Sequence, residues 1–279
     1  MPAPAWAAMP VVASFSILGD IVKQVGGDAV AVTVLVPPGG DVHTYDPRPS
    51  DVLAIQAARV VVVNGLGLEG WMDRLVSGAS GGAVRVVAST GVKPRSMSEG
   101  GRAVTDPHAW QDPRNAVIYA DVIADALSRA DPPDADLYRA NADRFIAQVR
   151  ETDAWIERTL SPIPPAQRRI ITSHDAFGYY GARYGIAFRG VQGIDTESEP
   201  TPRDIATLAA QIRRDHIRVV FVENMTDPRF AAALAREAGA VVGPTVYSDS
   251  LSPPAGPAAS YIAMLRYNTS AFAAALSAK

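Results

Sequence analysis

The chain has 279 residues, 48% hydrophobic and 20% charged, with a formal net charge of −3 and no cysteine. That length and apolar content suit two domains better than one. The charge balance excludes the basic footprint of a nucleic-acid binder, and the cysteine count excludes disulfides, thiolate chemistry and Cys-ligated zinc.

In chain order, Ala5-Trp6-Ala7 comes first. It matches the small-x-small pattern of a secretory cleavage site, so residues 1–7 read as a signal-peptide remnant on an exported chain. No apolar run long enough for a membrane helix follows. β-branched runs at 11–17, 31–36, 59–63 and 84–88 read as strands, with helical patterns at 18–25 and 51–58. This alternation predicts a parallel sheet covered by helices. Residues 134–160 contain no Gly or Pro, and their apolar positions fall at helical spacing. One helix over that stretch would be about 40 Å long. The second half repeats the strand scheme at 170–172, 188–191, 219–222 and 240–246. A helix starts at Thr201-Pro202, and an amphipathic helix at 260–276 closes the chain. The expected fold is α/β. Two β/α domains, 8–133 and 161–279, each hold a mainly parallel four-stranded sheet and are joined by the linker helix 134–160.

Three of four histidines, His43, His108 and His174, follow strand-like runs. Neutral imidazole is the commonest protein metal ligand, and α/β sheets collect ligands beyond the carboxyl ends of their strands. A zinc site without cysteine uses His nitrogen with Asp or Glu oxygen. Asp249, in Tyr-Ser-Asp-Ser-Leu after the last strand run, supplies that oxygen. The set would draw two ligands from each half and place a metal across the cleft. On these residues alone, a set of structural, hydrogen-bonding histidines stands beside the metal site. His216, in a charged turn, reads as a surface residue. Glu197 and Glu199 read as solvated loop charges, and Glu69 and Glu223 as supporting or structural carboxylates. Asp106 flanks His108, and Asp112-Pro113 reads as a helix N-cap pair that fixes the loop. No Gly-x-Ser-x-Gly elbow, His-Glu-x-x-His or phosphate loop is present, so no catalytic residue and no cofactor site is assigned.

Taken together, four ordered motifs resemble the solute-binding proteins of bacterial zinc and manganese ABC transporters, the cluster A-I family. They are Gly40-Asp-Val-His-Thr-Tyr-Asp46, Asp106-Pro-His-Ala-Trp-Gln-Asp-Pro113, Thr172-Ser-His-Asp-Ala-Phe177 and Tyr247-Ser-Asp-Ser-Leu251. The resemblance covers nearly the whole chain. It implies a periplasmic, non-enzymatic receptor with metal in the interdomain cleft, held by His43, His108, His174 and Asp249. It also implies a membrane permease as partner and a monomeric receptor. In this family zinc carriers tend to have His at the third ligand and manganese carriers Glu, so His174 favours Zn²⁺ as the transported ion. The rival readings are a manganese or iron carrier, a zinc hydrolase using Glu197 or Glu199 as base, and an adhesin. Many zinc members carry a long His-rich loop between the first two ligands. Here residues 91–105 are short and lack histidine. Metal then arrives by diffusion or from a separate periplasmic zinc chaperone, and deleting residues 93–103 is expected to leave affinity unchanged.

Overall fold

The computed structural model describes residues 7–78, 82–99, 101–191, 196 and 201–277. The reading of residues 1–7 as a signal remnant therefore lies almost wholly outside the described residues. In the first half, β1 (Met9–Phe15) pairs with β2 (Val30–Val36) and β3 (Val60–Val63), and β3 pairs with β4 (Val84–Val87), all in parallel. β3 is four valines, every one buried. A central parallel strand is covered on both faces and so reads as an unbroken β-branched run. Helices α1 (Ser16–Gly26), α2 (Pro49–Ala57), α3 (Met72–Gly78) and α4 (Pro113–Ala130) alternate with or follow these strands.

In the second half, β7 (Arg169–Thr172) pairs with β8 (Ala187–Gly190) and β9 (Val219–Val220), and β9 pairs with β10 (Val241–Val242), again in parallel. Its helices are α6 (Gly178–Tyr184), α7 (Pro202–Arg214) and α8 (Pro228–Ala238). The strand orders are β2-β1-β3-β4 and β10-β9-β7-β8. Renumbered within its own half, the second order is the first read backwards, so both sheets have one topology. Between them in the chain runs α5 (Ala135–Leu160), the 26-residue helix expected from the Gly- and Pro-free stretch. The last helix is α9 (Tyr261–Ser277). No helix among the described residues is long and apolar enough to cross a membrane.

Three elements differ from expectation, the first being the strand expected over 219–222, which is only Val219–Val220. The strand expected over 240–246 stops at Val242, because Gly243 packs its backbone against Val219 and Phe221 and Pro244 has no N–H to donate. The chain rejoins the sheet at Val246, which bridges Glu223. The loop expected over 91–105 is an antiparallel hairpin of β5 (Arg95–Glu99) and β6 (Arg102–Asp106). Apart from the buried Asp106, the described side chains of its strands are exposed or half-buried and mostly polar, which is why periodicity gave no strand signal there. Deleting residues 93–103 would remove β5 and unpair β6, which ends on Asp106, so the hairpin makes a loss of affinity the expected outcome of that deletion.

One apolar core runs from the first sheet through α5 and α9 onto the second sheet, ending in a group around Phe177, Phe188, Phe221 and Phe272. A smaller core of Ile171, Ile212, Val220 and Leu234 covers the opposite face of the second sheet. Because α9 belongs to the shared core, the halves cannot separate widely without exposing it. Phe272→Ala should lower stability by about 3–5 kcal/mol, measured by chemical denaturation. A loss below about 1 kcal/mol would show that this joint is not a packed core.

Candidate metal centre

His43 lies in the loop after β2, His108 just past β6, His174 just past β7, and Asp249 three residues beyond the Val246 bridge. Only two of the three histidines closely follow a strand, and His108 follows the hairpin rather than the parallel sheet. The fold nevertheless brings all four together. Each offers one ligand atom, and those atoms lie within 4.8 Å of one another. His43 Nε2 is 3.3 Å from His108 Nε2 and 3.1 Å from Asp249 Oδ2. His174 Nε2 is 2.9 Å from Asp249 Oδ2, and His108 Nε2 is 3.8 Å from Oδ1. Donors about 2.0–2.2 Å from a tetrahedral ion stand about 3.3–3.6 Å apart, so these spacings suit one small cation. The side chains of His108, His174 and Asp249 are fully buried, and that of His43 is 9% exposed.

The imidazoles are aimed by carboxylates. His108 Nδ1 donates to Asp106 Oδ1 at 2.9 Å, and the same oxygen accepts the His108 backbone N–H at 3.0 Å. His174 Nδ1 lies against Glu223 Oε2 as a buried ion pair, while Glu223 Oε1 accepts the His174 N–H at 2.9 Å and the Ser173 hydroxyl at 3.1 Å. A carboxylate can only accept, so both histidines carry hydrogen on Nδ1 and turn Nε2 toward the centre. The His43 N–H donates to Asp41 Oδ1 at 2.9 Å, and Trp71 Nε1 holds the Val42 carbonyl. Burial opposes charge on His174, but Glu223 and Asp249 overcome it and hold its pKa well above the ordinary imidazole range. Burial likewise opposes charge on Asp249, yet His174 and His108 keep its pKa well below the usual carboxylate range.

A further buried network fixes the loop that carries His108. Glu69 accepts the Ser14 hydroxyl and the Asn64 N–H on one oxygen and the Gly65 N–H on the other. The Asn64 side-chain amide then donates to the Pro107 carbonyl at 3.0 Å, and Tyr119 donates to the Asn64 Oδ1. Burial raises the Glu69 pKa against the pull of these donors. Asp112 caps α4 by accepting the Arg114 N–H, as its sequence predicts.

The family whose model matches, over residues 11–275, is described as ZnuA, zinc-uptake complex component A, periplasmic. The chain belongs to this family. It is 35% identical to the manganese-binding lipoprotein MntA of Halalkalibacterium halodurans, over 96% of this chain and 89% of that protein. It is 33% identical to the iron-binding protein YfeA of Yersinia pestis, over 91% and 82%. Among solved structures it is similar to the periplasmic zinc-binding protein TroA of Treponema pallidum, with TM-score 0.91, 27% identity and coverage of 97% and 100%. A manganese-bound periplasmic metal-binding protein of Candidatus Liberibacter asiaticus gives TM-score 0.88 at 31% identity, covering 95% and 98%. The chain is an extracytoplasmic, metal-binding substrate-binding component of an ABC transporter, which works with a membrane permease and its ATPase, and it is not an enzyme.

Asp106, Glu69 and Glu223 turn out to be supports of the site rather than bystanders. Ser14, Asn64 and Tyr119 carried no sequence signal beyond their strand-end or helix positions. His216 is exposed and remote from the cluster, as expected. Glu197 and Glu199 fall outside the described residues. Glu223→Ala and Asp106→Ala should each weaken metal binding about 10–100-fold by competition titration, with the circular dichroism of the fold retained. Affinities within about twofold of wild type would show that these carboxylates do not aim the imidazoles.

Proposed function

We propose that the protein is a zinc receptor: His43, His108, His174 and Asp249 hold Zn²⁺ as cargo for delivery to the permease. His174 carries this reading. With its Nδ1 committed to Glu223, it offers Nε2, once deprotonated, as the third imidazole nitrogen beside a single carboxylate. Nitrogen-rich four-donor sites suit zinc, whereas oxygen-rich sites of higher coordination suit manganese. All four donors come from one chain, so a monomer suffices, with residues 8–133 and 161–279 as the domains on either side of the linker helix 134–160. The names of MntA and YfeA favour a second reading, a manganese or iron carrier with the same residues.

Competition titration with metal analysis separates the two. Wild type should prefer zinc over manganese, and His174→Glu should narrow that preference. An unchanged ratio in the variant, or manganese preference in wild type, removes the argument for zinc.

Proton release gives an independent check. His174 must lose its Nε2 proton to bind metal, and its pKa is held above the ordinary range. Zinc binding should therefore release about one proton at pH 7, measured calorimetrically in buffers of different ionisation enthalpy. Affinity should rise about tenfold per pH unit until His174 deprotonates, then level off. In the metal-free protein the same raised pKa contributes stability below the unfolded histidine value. That contribution is lost as pH rises through the folded value. Binding without proton release would contradict this assignment.

A further inference from the structure

Along the chain, Asp249 belongs to the second half with His174. Its hydrogen bonds place it elsewhere. Trp110 Nε1 and Gln111 Nε2 both donate to the Ser248 carbonyl, at 2.8 and 2.7 Å. The Leu251 N–H donates to the Ser16 hydroxyl at 3.0 Å, and the Gly39 N–H donates to the Ser250 hydroxyl at 2.7 Å. The start of α9 follows suit: the Tyr261 N–H donates to Asp20, and the Tyr261 hydroxyl donates to the Trp110 carbonyl. Three strand-end loops of the first half, after β1, β2 and β6, thus grip residues 248–251. Two of them also carry His43 and His108. Ser16, Trp110, Gln111, Ser248 and Ser250 are all buried, so water does not compete for these bonds.

The surroundings of His174 are different. Its N–H and Nδ1 both go to Glu223, Ser173 bonds Glu223 and Thr226, and Thr172 bonds the His174 carbonyl. Among the described residues, the hydrogen bonds and ion pairs of 172–174 themselves reach the first half through Nε2 and Asp249, and the other ties lie farther out, where Tyr179 of α6 accepts the Arg95 N–H and donates to the Asp106 carbonyl and Asn224 donates to the Leu251 carbonyl at 3.4 Å. Behind this unit lies the smaller of the two cores.

We propose that the site divides three to one. His43, His108 and Asp249 form a preassembled half-site on the first-half frame. His174, carried with Glu223, is the ligand that closes on the ion and withdraws to release it. Ser16, Ser250, Trp110 and Gln111 are positioning residues for Asp249. The chain changes allegiance at Val246–Tyr247, between the last bridge to the second sheet and the first bond to Asn268 of α9. This inference rests on the receptor reading above and specifies its release step.

Disulfide trapping tests it, and the natural absence of cysteine makes every introduced pair unique. Ser16→Cys with Ser250→Cys joins side chains whose hydroxyls stand 3.4 Å apart. Asp41→Cys with Thr196→Cys joins residue 196 of the second half to the first half, where the two side chains bond at 2.6 Å. The expected result is that the 16–250 bridge forms at the same rate, within about twofold, in zinc-loaded and zinc-stripped protein. The 41–196 bridge should form at least about tenfold faster with zinc, and once formed it should slow zinc release to a chelator by a similar factor relative to the reduced variant. Bridging at 16–250 that requires zinc, or that slows zinc release, would overturn the proposal, since Asp249 would then travel with His174. Failure of 16–250 to bridge in either state would also overturn it, because the loop would not sit on Ser16. So would zinc-independent bridging at 41–196. If competition favours manganese, the same traps with manganese decide this inference separately from the identity of the cargo.

Discussion

Three buried carboxylates face three imidazoles at the centre of this protein, and the rest of the structure follows from that arrangement. Asp106, Glu223 and Asp249 are each about 1% exposed, so water screens none of them. An unpaired buried carboxylate is costly enough that the site needs positive charge to persist. Arg95 stands 4.0 Å from Asp106 and contributes part of it. The remainder comes from protons on imidazole or from a metal ion. A divalent cation among one coordinating carboxylate and three neutral imidazoles gives a local charge near +1, which Asp106 and Glu223 then offset from behind. Metal and proton are therefore alternatives for one electrostatic vacancy, which links affinity to pH and makes the metal-free state tolerable.

The topology explains how one chain collects these groups. Each sheet has the same strand order, and in each the connections diverge from its two central strands, β1 and β3 in the first and β7 and β9 in the second. The carboxyl ends of such strands open a crevice. Those four ends supply Ser14 and Ser16, Asn64, Ser173 and His174, and Glu223. His174 and most of the supports are thus products of the wound sheet placed twice, whereas His43, His108 and Asp249 come from the loop after β2, the hairpin and the segment past Val246. The shared core through α5 and α9 joins the two sheets.

The four candidate donors, which the fold brings together, stand out in the sequence because each lies in a compact motif with its own chemistry. The strand alternation and the long helix were legible for the same reason: each rests on local periodicity. The supports were not. Glu223 and Glu69 are ordinary carboxylates until the chain folds, since their partners are 49–55 residues away or are backbone amides. The hairpin at 95–106 escaped notice because a polar, exposed ribbon has no apolar alternation. The grip on Asp249 escaped notice because a residue's place in the chain says nothing of which half will bind its carbonyls and hydroxyls. An even split of ligands between halves follows from counting along the chain, and the bonding pattern differs.

The proposed zinc site is a cage closed by four protein donors, three of them imidazole nitrogens. X-ray absorption at the zinc edge of the loaded protein reads this directly. Four light-atom neighbours at about 2.0–2.2 Å are expected, with the outer-ring scattering of three imidazoles. A fifth near neighbour, or scattering from two imidazoles or fewer, would contradict it.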